Sequence, residues 1–515
     1  MNGAESLVRT LVEGGVNLCF SNPGTSEMHF VAALDKVDGM RCVLGLFEGV
    51  VTGAADGYYR MSGTPASTLL HLGPGLANGL ANLHNAKKAG SGVVNIVGEH
   101  ATDHIKHDAP LTSDIEGIAR PVSHWVKTSA SAASVARDGA LAIQAARQAP
   151  GQVATLILPA DTAWNAAEGI ASTPPAKGRA AVSQDAIGQS ARALAHGSAS
   201  LLLLSGAGLL EPSLLWAGRI AAKTGCRIMA AGFNSWVQRG AGRVQVDRVP
   251  YVVDTALNAL KGVRHVVLAG AKSPVSFFAY PNKPSVLVPE GCTSTKLAGV
   301  EEDIEAALEA LAGELGARNT PPVFVAPPRR PELPAGPVTP EGIGAVLGAL
   351  LPEQAIVVDE SVSVGRGLFP STAGAPPHDW LNNMGGSIGF GLPVAIGAAI
   401  ACPDRKVIAL EGDGSAMYTV QALWTMAREN LNVTIIVLAN RAYAILKGEF
   451  AGVGAGAPGQ RATDMMTLDR PNLDWLALAK GHGIEAGRAS DLDSFARQFE
   501  RAMALKGPYL IELLM

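Results

Sequence analysis

The sequence predicts an α/β protein of three αβ domains, each a parallel sheet flanked by helices. Two observations in the chain carry this. Short apolar, β-branched-rich runs such as VATLILP, VIAL and VTIIVLA alternate with segments of helical spacing, as the buried strands of parallel sheets do. Two proline-rich stretches, STPPAKGRAAVSQD from Ser172 and NTPPVFVAPPRRPELPAGPVTPEG from Asn319, interrupt that alternation. They divide the chain into domains at 1–171, 183–318 and 338–515. Composition agrees: 515 residues, 48% hydrophobic but 5% aromatic, with 59 Gly and 32 Pro, suit an Ala/Gly-rich α/β chain with many tight turns.

Charge and cysteine usage narrow the partners. A net charge of −4 gives no reason to expect nucleic acid or a membrane surface. The five cysteines are scattered without a CxxC pair, so neither zinc nor a disulfide framework is expected. The N-terminus reads as an amphipathic helix with acidic residues, not as a leader. No apolar run approaches the ~20 residues a membrane span needs, and a cytoplasmic protein is expected.

In the first part, Val16–Glu27 (VNLCFSNPGTSE) is a strand running into a Gly/Pro turn. Arg41–Gly63 is a strand that ends on Glu48 and enters a helix, on which Gly53, Ala54 and Ala55 form a small-residue face for close packing. On residues alone Glu48 is a helix-capping acid, worth up to ~1 kcal/mol. The strand STLL leads through His71 into the turn Gly73-Pro74-Gly75 and a helix. A polar loop, Gly98–Gly117, carries His100, His104 and His107 without a paired-ligand motif. The closing strand GQVATLILPAD echoes GPYLIELLM at the C-terminus, which suggests a structural duplication.

The middle part shows strands ASLLLLSG, CRIMAAG, HVVLAG and SVLVPEG, and a lone Gly206-Ala-Gly208 that is weak support for a nucleotide. The third part opens with AIVVDESVSVGRG, then the glycine-rich NNMGGSIGFGLP from Asn382, then Val407–Leu446. That last stretch reads as a βαβ unit with a helix over Thr419–Arg428. Asp413 and Asn440 fall at the carboxyl ends of its two strands, where open α/β sheets bind ligands. Their oxygens suit a hard divalent ion shared with a phosphate. Gly412 and Gly414 permit the sharp turn, and Ser415 starts a helix with free N–H groups.

A GDG, 25 intervening residues, then Asn resembles the cofactor motif of thiamine-diphosphate-dependent enzymes. The resemblance covers essentially the whole chain and implies pyrimidine-binding, central Rossmann-like and diphosphate-binding domains. It implies that Asp413, Asn440 and the carbonyl of Ala442 hold Mg²⁺, with Arg441 in place of a common second Asn. It places Gly412, Gly414, Ser415, Ser363 and Tyr443 at the cofactor. The Gly386 carbonyl would take the 4′-amino group, and Ile388 would be the wedge that bends the cofactor. Glu48 would hydrogen-bond N1′ of the aminopyrimidine and so promote formation of the C2 ylide; apolar burial among Leu44, Leu46, Phe47 and Val50 would raise its pKa toward that task.

Around the substrate the pattern is mixed. His71 is similar to a substrate-facing His of benzoylformate decarboxylase, whereas Gly73-Pro74-Gly75 is similar to acetolactate synthase. Thr25 falls where the former has an active-site Ser. His104, His107 and Leu111 are expected at the pocket mouth, and Leu446 and Glu449 on the substrate side. Ser273–Lys283 resembles the loop that supplies a second His in benzoylformate decarboxylase, yet it holds Phe277, Phe278 and Tyr280 and no His. The resemblance implies a 2-oxo acid decarboxylase or carboligase working through an enamine, as a homodimer or dimer of dimers with its sites at the dimer interface. A lyase acting on 2-hydroxyacyl or oxalyl thioesters of CoA is the alternative enzyme, and a cofactor-binding homologue without turnover the non-enzyme. FAD occupies the middle domain of some such proteins; no specific FAD signal is present and none is predicted here.

Overall fold

The computed structural model describes residues 1–515 and contains three sheets. The first holds β1 (Leu18–Asn22), β2 (Arg41–Leu44), β3 (Ala66–Leu70), β4 (Val93–Glu99), β5 (Trp125–Thr128) and β6 (Val153–Pro159), in the order β2-β1-β3-β4-β6-β5 and parallel throughout. Middle-part strands are β7 (Ser200–Leu204), β8 (Arg227–Ala230), β9 (Trp236–Arg239), β10 (Asp247–Arg248), β11 (His265–Ala269) and β12 (Thr293–Ala298). All but β9 form one parallel sheet, β10-β8-β7-β11-β12. The third part adds β13 (Ile356–Glu360), β14 (His378–Asn382), β15 (Val407–Gly412), β16 (Val433–Ala439), β17 (Glu485–Ala489) and β18 (Tyr509–Leu514), in the order β17-β18-β16-β15-β13-β14-β9.

Counted within their own part, β13–β18 run second-first-third-fourth-sixth-fifth, the order found in β1–β6. The echo between the closing strands is therefore structural, since β6 and β18 are each the sixth strand, inserted between the fourth and fifth. Corresponding third strands, β3 and β15, deliver His71 and Asp413. Strands buried on both faces, such as β4, β6 and β16, are the continuous apolar runs read from the sequence.

Two expectations need correction, and one short strand goes unpredicted. SVLVPEG is not a strand: Pro284 precedes it and Pro289 lies within it, both withholding ladder donors, and the more polar Thr293–Ala298 forms the edge strand instead. Trp236–Arg239 leaves the middle sheet and pairs antiparallel with β14, its alternating burial fitting an edge strand with one covered face. The helix expected over Thr419–Arg428 is broken into turns: Asp413–Ala416 is itself helical, Met417–Thr419 is a 3-10 turn, and the regular helix is Ala422–Arg428. No helix is long and apolar enough to cross a membrane.

The first and third parts share a core, in which Val50, Val51 and Ala54 pack with Ile356, Val394 and Val407. Its tightest seam is the crossing of helices Glu48–Ser62 and Gly391–Ala401. A Cβ on Gly53 would stand 2.5 Å from Cβ of Pro393, and one on Gly397 would overlap the Ala54 carbonyl. The small-residue face of the first helix thus lets the two backbones touch. Gly397→Ala is expected to cost about 1–3 kcal/mol through overpacking, read as a lower urea midpoint with an unchanged slope.

Candidate active site

The first part contributes Glu48 and His71 from the carboxyl ends of β2 and β3. Glu48 opens its helix and is 7% exposed. Asn78, on the helix Leu72–Ala89, donates to its Oε2 at 3.0 Å, and a Cβ on Gly75 would stand 3.2 Å from its Oε1. The apolar collar expected around Glu48 is one-sided: Val50 is buried, but Leu46 is 44% exposed.

His71 is held by a carboxylate that the sequence reading missed. Its Nδ1 lies 2.9 Å from Glu27 Oε2 and 3.3 Å from Ser26 Oγ, while Ser26 Oγ donates to Glu27 Oε1 at 2.6 Å. The Gly24 amide donates to Glu27 Oε2 at 2.8 Å, and any side chain on Gly24 would strike the His71 ring. The hydroxyl bonded to His71 is that of Ser26, and the neighbouring Thr25 is exposed. The spacing Gly24-x-x-Glu27, which resembles a capping box, was the available signal. His104 and His107 are exposed, their rings 5.6 Å apart, while Leu111 is half-buried against the shared core. Ser113 from the same loop packs against Gly73.

The third part contributes the clamp. Asp413, almost fully buried, accepts from the Gly414 amide (2.9 Å) on Oδ1 and the Arg441 amide (2.6 Å) on Oδ2. Burial pushes its pKa up, against those two backbone donors. Asn440 Oδ1 accepts from the Ala442 amide at 3.0 Å. Tyr443 lays its ring on Gly414, where a Cβ would stand 2.5 Å from Cε1. Gly412 leads into the turn, and Ser415 is buried within it.

Backbone strain gathers at these loops. Val362, between Ser361 and Ser363, has φ +48, and Arg441 has φ +55, conformations costly for L-residues other than Gly and Asn. The position of Arg441 therefore suits the Asn expected there, and Arg441→Asn is expected to stabilise the chain by ~1 kcal/mol in chemical denaturation.

A pair of acids ties the glycine-rich loop to the clamp. Glu360 accepts from the amides of Gly389 (3.1 Å), Phe390 (3.2 Å) and Gly391 (2.7 Å), immediately after Ile388. Burial pushes Glu360 up to about 7, and burial with the adjacent Glu360 holds Glu411 well above the ordinary carboxylate range. Gly391 is obligatory, since a Cβ would enter the Glu411 carboxyl. Raised carboxyl pKa values mean that the unfolded chain ionises first. For Glu360 that contribution is full below the ordinary 4.5 and is lost as pH climbs through about 7, and Glu411 shifts in the same direction. Urea midpoints of the cofactor-free protein are expected to fall across that window, and Glu411→Gln to flatten the fall. Gly386 (φ +81) is exposed, and Ile388 and Ser363 are half-buried. Glu449 lies beyond the exposed Leu446 and is bonded by two tyrosines of the middle part.

Comparison with known proteins places the chain in a family. Residues 1–118 match the N-terminal, and residues 369–513 the C-terminal, thiamine pyrophosphate binding domain of thiamine pyrophosphate enzymes. The chain is 51% identical to the Mycobacterium tuberculosis protein named "Putative acetolactate synthase large subunit IlvX", over 100% of this chain and 99% of that one. The chain belongs to the thiamine pyrophosphate enzyme family. Within that family it is also 30% identical to benzoylformate decarboxylase of Pseudomonas aeruginosa, over 97% of this chain and 96% of the other. It superposes on the 4-hydroxybenzoylformate decarboxylase of Rhodococcus jostii with a TM-score of 0.85 and 25% identity, covering 99% and 98% of the two chains.

The residues present fit the family's cofactor, thiamine diphosphate. Each Asp413 oxygen carries one backbone donor and keeps a lone pair for a cation. Gly386 leaves its backbone exposed beside the half-buried Ile388.

Proposed function

We propose that this chain is a Mg²⁺-dependent 2-oxo acid decarboxylase or carboligase, working as a homodimer or dimer of dimers. The observation that carries the reading is the pairing of a buried, hydrogen-bonded Glu48 with an Asp413–Asn440 clamp at strand ends of two sheets with one topology. Asp413, Asn440 and the Ala442 carbonyl would hold the ion; Ser363, Ser415 and the turn amides would hold the diphosphate. Ile388 would set the bend, on a loop fixed by Glu360. When bound, the cofactor supplies the electron sink for decarboxylation.

The chain's own residues supply protons and orientation. Glu48 exchanges a proton at its carboxyl with the cofactor's pyrimidine, and Asn78 fixes which oxygen faces it. Glu27 and Ser26 anchor Nδ1 of His71 and leave Nε2 to hold a proton for the carbon that loses CO₂. Release as an aldehyde takes up that proton; ligation to a second carbonyl compound is the other outcome. Exposed apolar groups near the two halves, Leu46, Tyr418, Leu446 and Met465, support a second subunit covering them. The experiment is CO₂ release from a panel of 2-oxo acids with thiamine diphosphate and Mg²⁺, run beside CoA thioesters. Thioester cleavage with no CO₂ from any 2-oxo acid would favour the lyase.

A further inference from the structure

Where the middle and third parts meet, aromatic rings gather around one carboxylate. Glu449, on the helix Ala444–Gly452, accepts from Tyr251 on Oε1 and from Tyr280 on Oε2, each at 2.9 Å. Burial, together with the Tyr280 and Glu449 contacts, holds the Tyr251 hydroxyl above the ordinary phenol range, so it remains a donor. The Phe277 ring centre is 5.6 Å from that of Tyr251 and 5.1 Å from that of Phe233. Phe277 also borders the cofactor half, 3.0 Å from where a Cβ on Gly386 would stand. Arg366, three residues beyond Ser363, rests its guanidinium 5.0 Å from the centre of the Tyr251 ring.

We propose that this cluster is the subsite for the far end of the substrate side chain, selecting 2-oxo acids that end in a cation, ammonium or guanidinium. The proposal rests on the 2-oxo acid reading above. Aromatic faces and a carboxylate both favour positive charge. Two tyrosine donors fix the Glu449 carboxylate, yet each oxygen keeps a further lone pair for an incoming donor. Arg366 already covers one face of Tyr251, so an incoming cation has the Phe233 and Phe277 faces and the remaining lone pairs of Glu449. Phe233 and Phe277 are 37% and 41% exposed, which leaves ring surface for a tail.

The test is calorimetric binding of two unreactive 2-hydroxy acids to the full chain, with thiamine diphosphate and Mg²⁺ added. 5-Guanidino-2-hydroxypentanoate and its neutral 5-ureido isostere differ only in the charge of the tail. The guanidino compound is expected to bind about tenfold tighter or better, and Glu449→Gln, which keeps acceptors for one or both tyrosines, to abolish the difference. Equal binding of the pair by the wild type, or a preference that survives in Glu449→Gln, would overturn the subsite. Because neither compound reacts, this outcome is independent of turnover. A Glu449-dependent preference without CO₂ release from any 2-oxo acid supports the subsite and counts against the reaction.

Discussion

Glu48→Gln is expected to lower CO₂ release by about 10²–10⁴-fold, the usual contribution of a positioned proton-transfer group. The amide keeps an acceptor for Asn78, which donates to Glu48 at 3.0 Å, and it fills the same buried space. Folding and cofactor binding are therefore expected to survive, and the loss should appear in kcat. Thermal melts with and without thiamine diphosphate separate the two effects. An unchanged melt with a collapsed rate assigns Glu48 to chemistry. Unchanged turnover would reduce it to the helix-capping acid that its position alone permits.

Asp413→Ala is expected to remove the stabilisation conferred by cofactor and metal together. A ligand at 100 times its Kd stabilises a protein by about 2.7 kcal/mol, so the wild-type melting temperature should rise clearly when both are added. Asp413 is nearly fully buried and receives the Gly414 and Arg441 amides. Its loss removes an anionic ligand and frees the turn that presents Asn440 and Ala442. In the variant the cofactor-dependent rise should vanish. A wild-type-sized rise would mean that the ion, if bound, is held elsewhere.

Much of this architecture is legible in the sequence because parallel strands buried on both faces leave continuous apolar runs; β4, β6, β15 and β16 were readable for that reason. Asp413 and Asn440 stand where such runs stop, so their positions follow from the strands, whereas Glu48 comes after the edge strand β2, whose Arg41 and Cys42 are exposed. The polar edge strand Thr293–Ala298 and the four-residue Trp236–Arg239 lacked such a run. Long-range partners were hidden for a different reason. Glu27 meets His71 44 residues on, and Tyr251 meets Glu449 across 198 residues, contacts that no local pattern encodes. Ser26 is a case of the same kind, since its hydroxyl meets His71 45 residues on. Arg441 stands in place of a common second Asn, and its φ of +55 is the physical reason Asn suits the position, a backbone property that no local pattern displays.

Co-expression of Glu48→Gln and Asp413→Ala chains tests the shared-site claim most directly. If each site takes its glutamate from one chain and its clamp from the other, a symmetric dimer holding one of each variant has one intact site and one doubly damaged site. Random pairing should then restore about a quarter of wild-type CO₂ release, although either variant alone is nearly inactive. No recovery from a mixture shown to contain hetero-dimers would contradict a site shared between subunits.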